Sequence, residues 1–161
     1  MKTLLLVRHA KSNWEQPDVA DHDRPLNHRG RRDAPDMGRR LAARGVAPDV
    51  ILSSSAVRAR TTAALLAAEL GYDPERIVGD ERLYAASVDR VLEVIGELGD
   101  EVSCAMVVGH NPETAALVHR LSGEDHEMPT GAVAEFAFDV ASWADLGEAG
   151  PVAARVETPR R

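Results

Sequence analysis

Arginine and histidine side chains suited to phosphate chemistry stand directly after short apolar runs. Arg8 and His9 follow residues 3–7, and His110 follows residues 105–108 with one glycine between. A guanidinium can bind two phosphate oxygens at once, and a neutral imidazole is a competent nucleophile near neutral pH. Together these residue types indicate a site that binds an anion and attacks it.

Arg58 is a third cationic candidate, and its position in the chain is unusual. It follows the apolar run at 50–52 and falls in the first turn of a predicted helix. A cation there opposes the helix macrodipole by ~0.3–1 kcal/mol, which either a bound anion or a surface carboxylate would offset. The carboxylates of Asp21 and Asp23 follow no apolar run, so we expect them in a solvated loop.

Zinc binding is the main alternative use of two histidines. Arg8 and Arg58 would repel a divalent cation, and the sequence has neither an H-E-x-x-H motif nor a close cluster of cysteines and histidines. We therefore expect no metal and no cofactor at this site.

The apolar runs that precede these residues predict strands buried on both faces of a sheet. These strands cover residues 3–7, 50–52 and 105–108. A weaker strand and a C-terminal hairpin complete the set, with strands predicted over 76–78, 134–140 and 152–157.

Four helices are predicted between and after the main strands. Asn27 is expected to cap the first, Ser54 or Ser55 the second, and Pro112 suits the first position of the last. The predicted ranges are 27–44, 56–70, 87–98 and a helix that Asn111 caps. Strands alternating with helices indicate an α/β three-layer sandwich with a mostly parallel central sheet. Ligands bind beyond the carboxyl ends of such strands, so we expect the cationic segments to converge.

Length, charge and cysteine content narrow the class of protein. The 161 residues suit one domain, 1–161, whose last residues, 158–161, are expected to fray. With 19 basic and 26 acidic residues the net charge is -7, which argues against nucleic-acid binding and requires any anion site to be local. The single cysteine does not suggest an oxidising compartment, and the N-terminal apolar run is too short for a signal peptide. No stretch approaches the ~20 apolar residues of a membrane span, so we expect a cytoplasmic protein. We also expect it to be a monomer.

Four segments resemble, in order along the chain, the landmarks of the histidine phosphatase superfamily, which has the phosphoglycerate mutase-like fold. They are residues 6–10, 23–26, 53–63 and 108–112. The short chain and the Arg24-Pro25-Leu26 segment are most similar to the SixA-type phosphohistidine phosphatases. The resemblance implies a mixed sheet with one antiparallel edge.

The same resemblance implies a metal-independent phosphatase mechanism. His9 would attack phosphorus and form a phosphohistidine intermediate, which water then hydrolyses. Arg8, Arg58 and His110 would bind the phosphoryl group and stabilise its charge, the electrostatic role that dominates such reactions.

Other residues near the nucleophile are candidates for contacting the substrate. Lys11, Ser12 and Asn13 come shortly after His9. Arg24 is a candidate for the rim of the site, and bracing of a loop is its alternative role.

Larger members of this family carry an acidic Glu in an insertion that roofs the pocket. Here the corresponding region, 70–87, is short, and Glu81 is the nearest match for a general acid, with a surface position as the alternative. A compact lid implies an open site that admits a protein side chain, which favours phosphohistidine in proteins as the substrate. Small phosphorylated metabolites are an alternative substrate class, and a catalytically silent phosphate-binding protein is an alternative function.

Overall fold

Six strands form one mixed sheet in the computed structural model, which describes residues 1–160. The strands are β1 (Lys2–Arg8), β2 (Val50–Ser54), β3 (Val78–Asp80), β4 (Cys104–Gly109), β5 (Val133–Phe138) and β6 (Ala153–Glu157). The helices are α1 (His28–Ala43), α2 (Val57–Leu70), α3 (Val88–Gly96) and α4 (Glu113–Ser122).

The strand order, β3-β2-β4-β1-β5-β6, explains how distant segments meet. The first four strands are parallel, whereas β5 pairs antiparallel with β1 and β6 pairs antiparallel with β5. This confirms the mostly parallel sheet with an antiparallel edge. Arg8 lies opposite Gly109, and Ser53 lies opposite Val108, so β1, β2 and β4 end at the same edge of the sheet.

Alternating residues of the central strands pack into two separate cores. Leu4 and Leu6 of β1 belong to one core, with residues of α3 and α4, whereas Leu5 and Val7 belong to the other, with residues of α1 and α2. Successive side chains of a strand point to opposite faces, so both faces of the sheet are covered. The predicted three-layer α/β sandwich is confirmed.

The predictions for the cap of α2 and for the bounds of β3 were wrong, each because a polar side chain makes a different bond. Ser54 and Ser55 do not cap α2, whose N-cap is Ala56 without a side-chain hydrogen bond. Ser54 Oγ instead accepts from the Ala56 amide (3.2 Å), and Ser55 Oγ lies 2.9 Å from His22 Nε2. The third strand lies at 78–80 rather than 76–78, because Asp73 caps a 3-10 turn over Pro74–Arg76.

The start of α1 at Asn27 follows the prediction, whereas the predicted start of α4 was wrong by one residue. Asn27 Oδ1 accepts from the Gly30 amide (2.9 Å) and caps α1. Pro112 is the N-cap of α4 rather than its first residue, and α4 begins at Glu113. Asn111 Oδ1 still accepts from the Ala115 amide (3.2 Å), one turn into the chain that follows it.

The segment expected to fray is held by the rest of the fold as far as it is described. The Thr158 carbonyl accepts from Arg40 Nη1 (2.9 Å), and Pro159 is buried. Arg161 lies outside the described residues. Across residues 1–160, none of the helices combines the length and apolar character that a membrane span requires.

Candidate active site

A cavity of about 210 Å³ lies beyond the carboxyl ends of β1, β2 and β4 and collects most of the predicted site residues. The predicted residues that line it are Arg8, His9, Lys11, Ser12, Arg24, Arg58 and His110. The other lining residues are Trp14, Asn111 and Thr130. The structure therefore brings together side chains that are as much as 122 residues apart in the sequence (from 8 to 130).

His9 is held as a neutral imidazole with a defined tautomer. Its side chain is buried, and Nδ1 lies 2.7 Å from the Ala10 carbonyl oxygen, which can only accept. Nδ1 therefore carries the proton, and Nε2 keeps its lone pair. Burial, and the neighbouring positive groups to a lesser extent, lower the pKa of His9 to about 3, although the bond to Ala10 opposes this. The imidazole is thus ready to attack at neutral pH.

Backbone and hydroxyl bonds set the position of this imidazole relative to α2. The His9 amide donates to the Gly109 carbonyl (2.9 Å), which extends the β1–β4 ladder past the strand ends. Thr62 Oγ1 accepts from the Ala10 amide (3.0 Å) and donates to the Arg58 carbonyl (2.7 Å). Thr62 therefore ties the loop after the nucleophile to the helix that carries Arg58.

His110 stands beside His9, with the two ring centroids 5.1 Å apart. Its Nε2 lies 2.7 Å from Ser54 Oγ, and the ring of Tyr84 packs edge-on against it at 5.6 Å. Burial, followed by the charge of Arg58, lowers the pKa of His110 to about 4. Both imidazoles are therefore neutral in the unliganded site at neutral pH.

Three guanidiniums, together with the Lys11 side chain, supply the positive charge of the cavity. Arg8 Nη1 donates to the Met128 carbonyl (3.1 Å), and Arg8 contacts no carboxylate among residues 1–160. Burial lowers the pKa of Arg8 from its ordinary value, yet an arginine keeps its proton in proteins. The Arg8 side chain therefore remains available to bind an anion beside His9.

Asp21 is exposed in the loop expected for it, and it also organises two of these arginines. Its carbonyl accepts from Arg58 Nη1 (2.6 Å), and its Oδ2 accepts from Arg58 Nη2 (3.1 Å) and from the Tyr84 hydroxyl (2.6 Å). Oδ1 accepts from Arg24 Nη2 (3.0 Å). The bond from Tyr84 and those from the arginines hold the pKa of Asp21 well below its usual range. Arg58 thus has a carboxylate partner and also lines the cavity.

Arg24 both lines the cavity and braces the loop, so the two roles considered for it coincide. Its Nη1 donates to Ser12 Oγ, its Nη2 donates to Asp21, and its guanidinium lies 3.6 Å from the centroid of the Trp14 ring. Ser12 is buried and pairs with Leu26 in an isolated bridge. Asn13 does not line this cavity and instead accepts a bond from the Glu15 amide (2.7 Å).

Glu81 is the predicted residue that the structure does not bring to the cavity. It is exposed at the start of a 3-10 turn over Glu81–Leu83, which Asp80 caps. This short turn instead carries Tyr84 to His110 and Asp21. The resemblance of the chain to larger family members implied a proton-donor role for Glu81. The position of Glu81 in the structure does not support that role.

Glu113 is a buried carboxyl that the sequence reasoning missed. It begins α4, three residues after His110, and lines a small internal cavity with that histidine. Burial raises the pKa of Glu113, and its Oε2 has no hydrogen-bond partner among residues 1–160. The residue type gave no signal, because an acidic residue in the first turn of a helix is also what the macrodipole favours.

Within residues 1–160, no group of three or more His, Cys, Asp or Glu side chains is arranged to hold a metal ion. The site contains two neutral imidazoles, three guanidiniums and the Lys11 side chain. One ionised carboxylate, that of Asp21, orients the Arg24 and Arg58 guanidiniums. Such a set can bind a phosphoryl dianion and place a nitrogen nucleophile against phosphorus.

The chain belongs to the histidine phosphatase superfamily (branch 1), whose family model matches residues 4–84. It is 41% identical to the uncharacterized protein Rv1276c of Mycobacterium tuberculosis, over 87% of this chain and 91% of that protein. The family identity confirms the resemblance seen in the arginine and histidine segments.

Solved structures agree in fold and point to a particular group within the family. The candidate phosphohistidine phosphatase SixA from Nakamurella multipartitia superposes with a TM-score of 0.84 and 29% identity, over 98% of this chain and 96% of that one. The candidate phosphohistidine phosphatase SixA from Agrobacterium tumefaciens gives a TM-score of 0.77 and 34% identity, over 84% and 90%. The fold is phosphoglycerate mutase-like, and SixA-like proteins are among its structural neighbours.

Proposed function

We propose that this protein is a metal-independent phosphohydrolase that uses His9 as its nucleophile. The observation that carries the proposal is the state of His9, a neutral imidazole with Nε2 unprotonated, in one cavity with Arg8, Arg58 and His110. A phosphate-binding protein needs the cations alone. It has no need for an imidazole held in its nucleophilic tautomer, so the catalytically silent alternative is less well supported.

In the proposed reaction, His9 Nε2 forms a bond to phosphorus as the bond to the leaving group breaks. The leaving group takes the electron pair and then a proton, and the phosphoryl group stays on His9. Arg8, Arg58 and His110 would bind the equatorial oxygens and stabilise their charge. Water would then attack the phosphohistidine and release inorganic phosphate, which regenerates neutral His9.

We propose phosphohistidine in a protein as the substrate. An imidazole leaving group can be protonated from solvent at neutral pH, whereas an alkoxide needs a positioned acid. The carboxylate that contacts the arginines, Asp21, is held ionised and therefore suits orientation of those arginines rather than proton donation. The SixA-like structural neighbours support the same choice. A phosphatase of small phosphorylated metabolites is the second candidate, because the family also contains such enzymes.

The proposal extends to where and how the protein works. We propose that it acts in the cytoplasm, as a monomer, on a phosphorylated protein partner.

Burial raises the pKa of the single thiol, Cys104, to about 12, which leaves it unreactive and suits a structural residue.

A substrate panel tests the assignment. The values of kcat/KM should be compared for phosphohistidine peptides, sugar phosphates and p-nitrophenyl phosphate. We expect the phosphohistidine peptides to give the largest value. A higher kcat/KM for a sugar phosphate would instead identify a phosphatase of small metabolites. Tight phosphate binding without turnover of any substrate would identify a catalytically silent phosphate-binding protein.

A further inference from the structure

A second and larger cavity, of about 600 Å³, lies directly beside the catalytic cavity. We call it the α1 groove, because it runs from the loop after His9 to the first turn of α1. The two cavities share Lys11, Ser12 and Trp14 as lining residues. A molecule that lies in the α1 groove would therefore reach the mouth of the catalytic cavity.

The α1 groove is strongly cationic in an otherwise acidic protein. Lys11, Arg29, Arg31 and Arg32 line it, against the single carboxylate of Glu15. The chain as a whole has a net charge of -7, so this local excess of positive charge is set apart from the remaining surface.

Few of these cations are neutralised within the protein. Among residues 1–160, neither Lys11 nor Arg32 pairs with a carboxylate, and Arg31 donates to a backbone carbonyl, that of Leu26 (2.7 Å). Arg29 lies 3.8 Å from the Asp33 carboxylate, a long contact for an ion pair. The first turn of α1 has no acidic residue, so its cations also oppose the helix macrodipole. Binding of an anionic partner would offset both costs.

Trp14 stands between the two cavities as an exposed aromatic platform. Its relative exposure is 70%, and the Arg24 guanidinium lies 3.6 Å from its ring centroid, which fixes one face of the ring. Exposed tryptophan and arginine side chains are enriched where protein segments bind. Small-molecule sites are lined mainly by apolar groups, whereas this groove has one large apolar side chain among several charges.

We infer that the α1 groove binds an acidic segment of the protein substrate, next to the phosphorylated residue. Carboxylates of that segment would pair with Arg29, Arg31 and Arg32, and an adjacent side chain would pack on Trp14. This inference rests on the proposed action on a phosphoprotein and adds which substrate surface is selected. It makes no use of the catalytic residues, so it can be tested apart from turnover.

Binding of phosphate-free peptides tests the α1 groove without catalysis. An acidic peptide rich in Asp and Glu should be compared, by calorimetry, with a matched peptide that carries Asn and Gln. We expect the acidic peptide to bind more tightly and its affinity to fall as salt rises. Peptide binding should also change the tryptophan fluorescence of the protein. The change can be assigned to Trp14, because the other tryptophan, Trp143, is buried at 1% exposure.

A pair of matched variants locates the binding. Arg29→Gln combined with Arg32→Gln removes two groove charges, and we expect affinity for the acidic peptide to fall about tenfold. Arg39→Gln on the same helix is the control, because Arg39 is exposed and pairs with Glu69 away from the groove. Equal binding of the acidic and neutral peptides, or an undiminished affinity in the double variant, would overturn the inference. Tighter binding of inorganic tripolyphosphate than of the acidic peptide, weakened by the same double variant, would also overturn it, in favour of a small polyanion in the groove.

Kinetics separate failure of the groove from failure of the proposed function. Phosphohistidine peptides with acidic flanks should have a higher kcat/KM than those with neutral flanks, and the double variant should reduce that ratio. Equal kcat/KM values for peptides with acidic and neutral flanks would contradict the inferred role of the groove. They would leave the proposed phosphohistidine phosphatase activity unaffected. Binding of the acidic peptide without turnover of any phosphohistidine peptide would instead overturn the proposed substrate and leave the groove as a peptide site.

Discussion

Two arginine-rich regions of this molecule use the same side chain in opposite ways. At the antiparallel edge of the sheet, Arg44 Nη2 lies 2.8 Å from Glu135 and 2.7 Å from Glu157, and Arg40 Nη2 lies 3.1 Å from Glu157. Burial lowers the pKa of Arg44, but the bonds to these carboxylates more than reverse this and raise it overall. In the cavity, burial lowers the pKa of Arg8, which meets a carbonyl instead of a carboxylate.

The difference shows that the partners of an arginine, more than its burial, distinguish a structural role from a binding role. At the antiparallel edge the arginine charges are neutralised by glutamates, and these ion pairs hold helix α1 against β5 and β6. Charges without carboxylate partners leave a positive potential that a phosphoryl group can use. Arg58 stands between the two cases, because Asp21 orients it while leaving it in the wall of the cavity.

The largest effect should come from His9→Ala in the cavity. We expect turnover to fall by roughly 10⁴-fold or more, because the nucleophile itself is removed. Brief incubation with a labelled phosphodonor should give acid-labile, alkali-stable label on the native protein. Labelling of the His9→Ala protein at the native level would show that another residue is the nucleophile.

A matched pair of substitutions, Arg58→Gln in the cavity and Arg44→Gln at the antiparallel edge, tests the comparison between the two regions most directly. Arg58→Gln should lower kcat/KM by about 10²–10³-fold, since a charge that stabilises the transition state is lost. Arg44→Gln should leave kcat/KM within about a factor of two but destabilise the fold by about 1–2 kcal/mol, because Glu135 loses its arginine and Glu157 loses one of its arginines.

Steady-state kinetics and thermal unfolding measure the two arginine variants side by side. If Arg44→Gln reduced kcat/KM as much as Arg58→Gln, carboxylate pairing would not separate structural arginines from binding arginines.

A smaller effect is expected from Glu81→Gln. Because Glu81 is exposed and does not line the cavity, kcat/KM should change by less than about threefold on both p-nitrophenyl phosphate and a phosphohistidine peptide, against the ~10²–10⁴-fold of a positioned acid. A large loss confined to the phosphoester would restore Glu81 as the general acid. A large and equal loss on both substrates would assign it to positioning of water or of the phosphoryl group.

The buried imidazoles should make stability fall at a higher pH than the carboxylates that pair with arginine, such as Asp21, do. The pKa values of His9 and His110 are lowered to about 3 and about 4, so the unfolded chain takes up their protons below about pH 6.5 while the folded protein does not. The free energy of unfolding should thus decline from about pH 6.5 to pH 4, by about 1.4 kcal/mol per pH unit for each histidine. Denaturant titrations should show a shallower decline in His110→Gln, and an unchanged slope would contradict the lowered pKa.

No effect is expected from chelation. Treatment with EDTA should leave kcat/KM unchanged, because the arginines supply the positive charge that a metal supplies in other phosphatases. A loss of activity that added zinc restores would revive the zinc interpretation of the two histidines.

Much of the fold could be predicted because its signals are local in the sequence. Unbroken apolar runs mark β1, β2 and β4, and Asn27 marks the start of α1 by its bond to the amide three residues later. Parallel strands end at one edge, so the meeting of Arg8, His9 and His110 followed from strand assignments alone.

What the tertiary structure decided is the set of partners around those residues. Asp21 lies in a loop without periodicity, and it bonds to Arg58, 37 residues away, and Tyr84, 63 residues away. Sequence spacing cannot predict such pairs, because the path of an irregular loop depends on the surfaces it packs against. The same reason explains why the turn after β3 brings Tyr84 rather than Glu81 to the site. The residue types thus determined the chemistry that is possible, and packing determined which charges were left free to perform it.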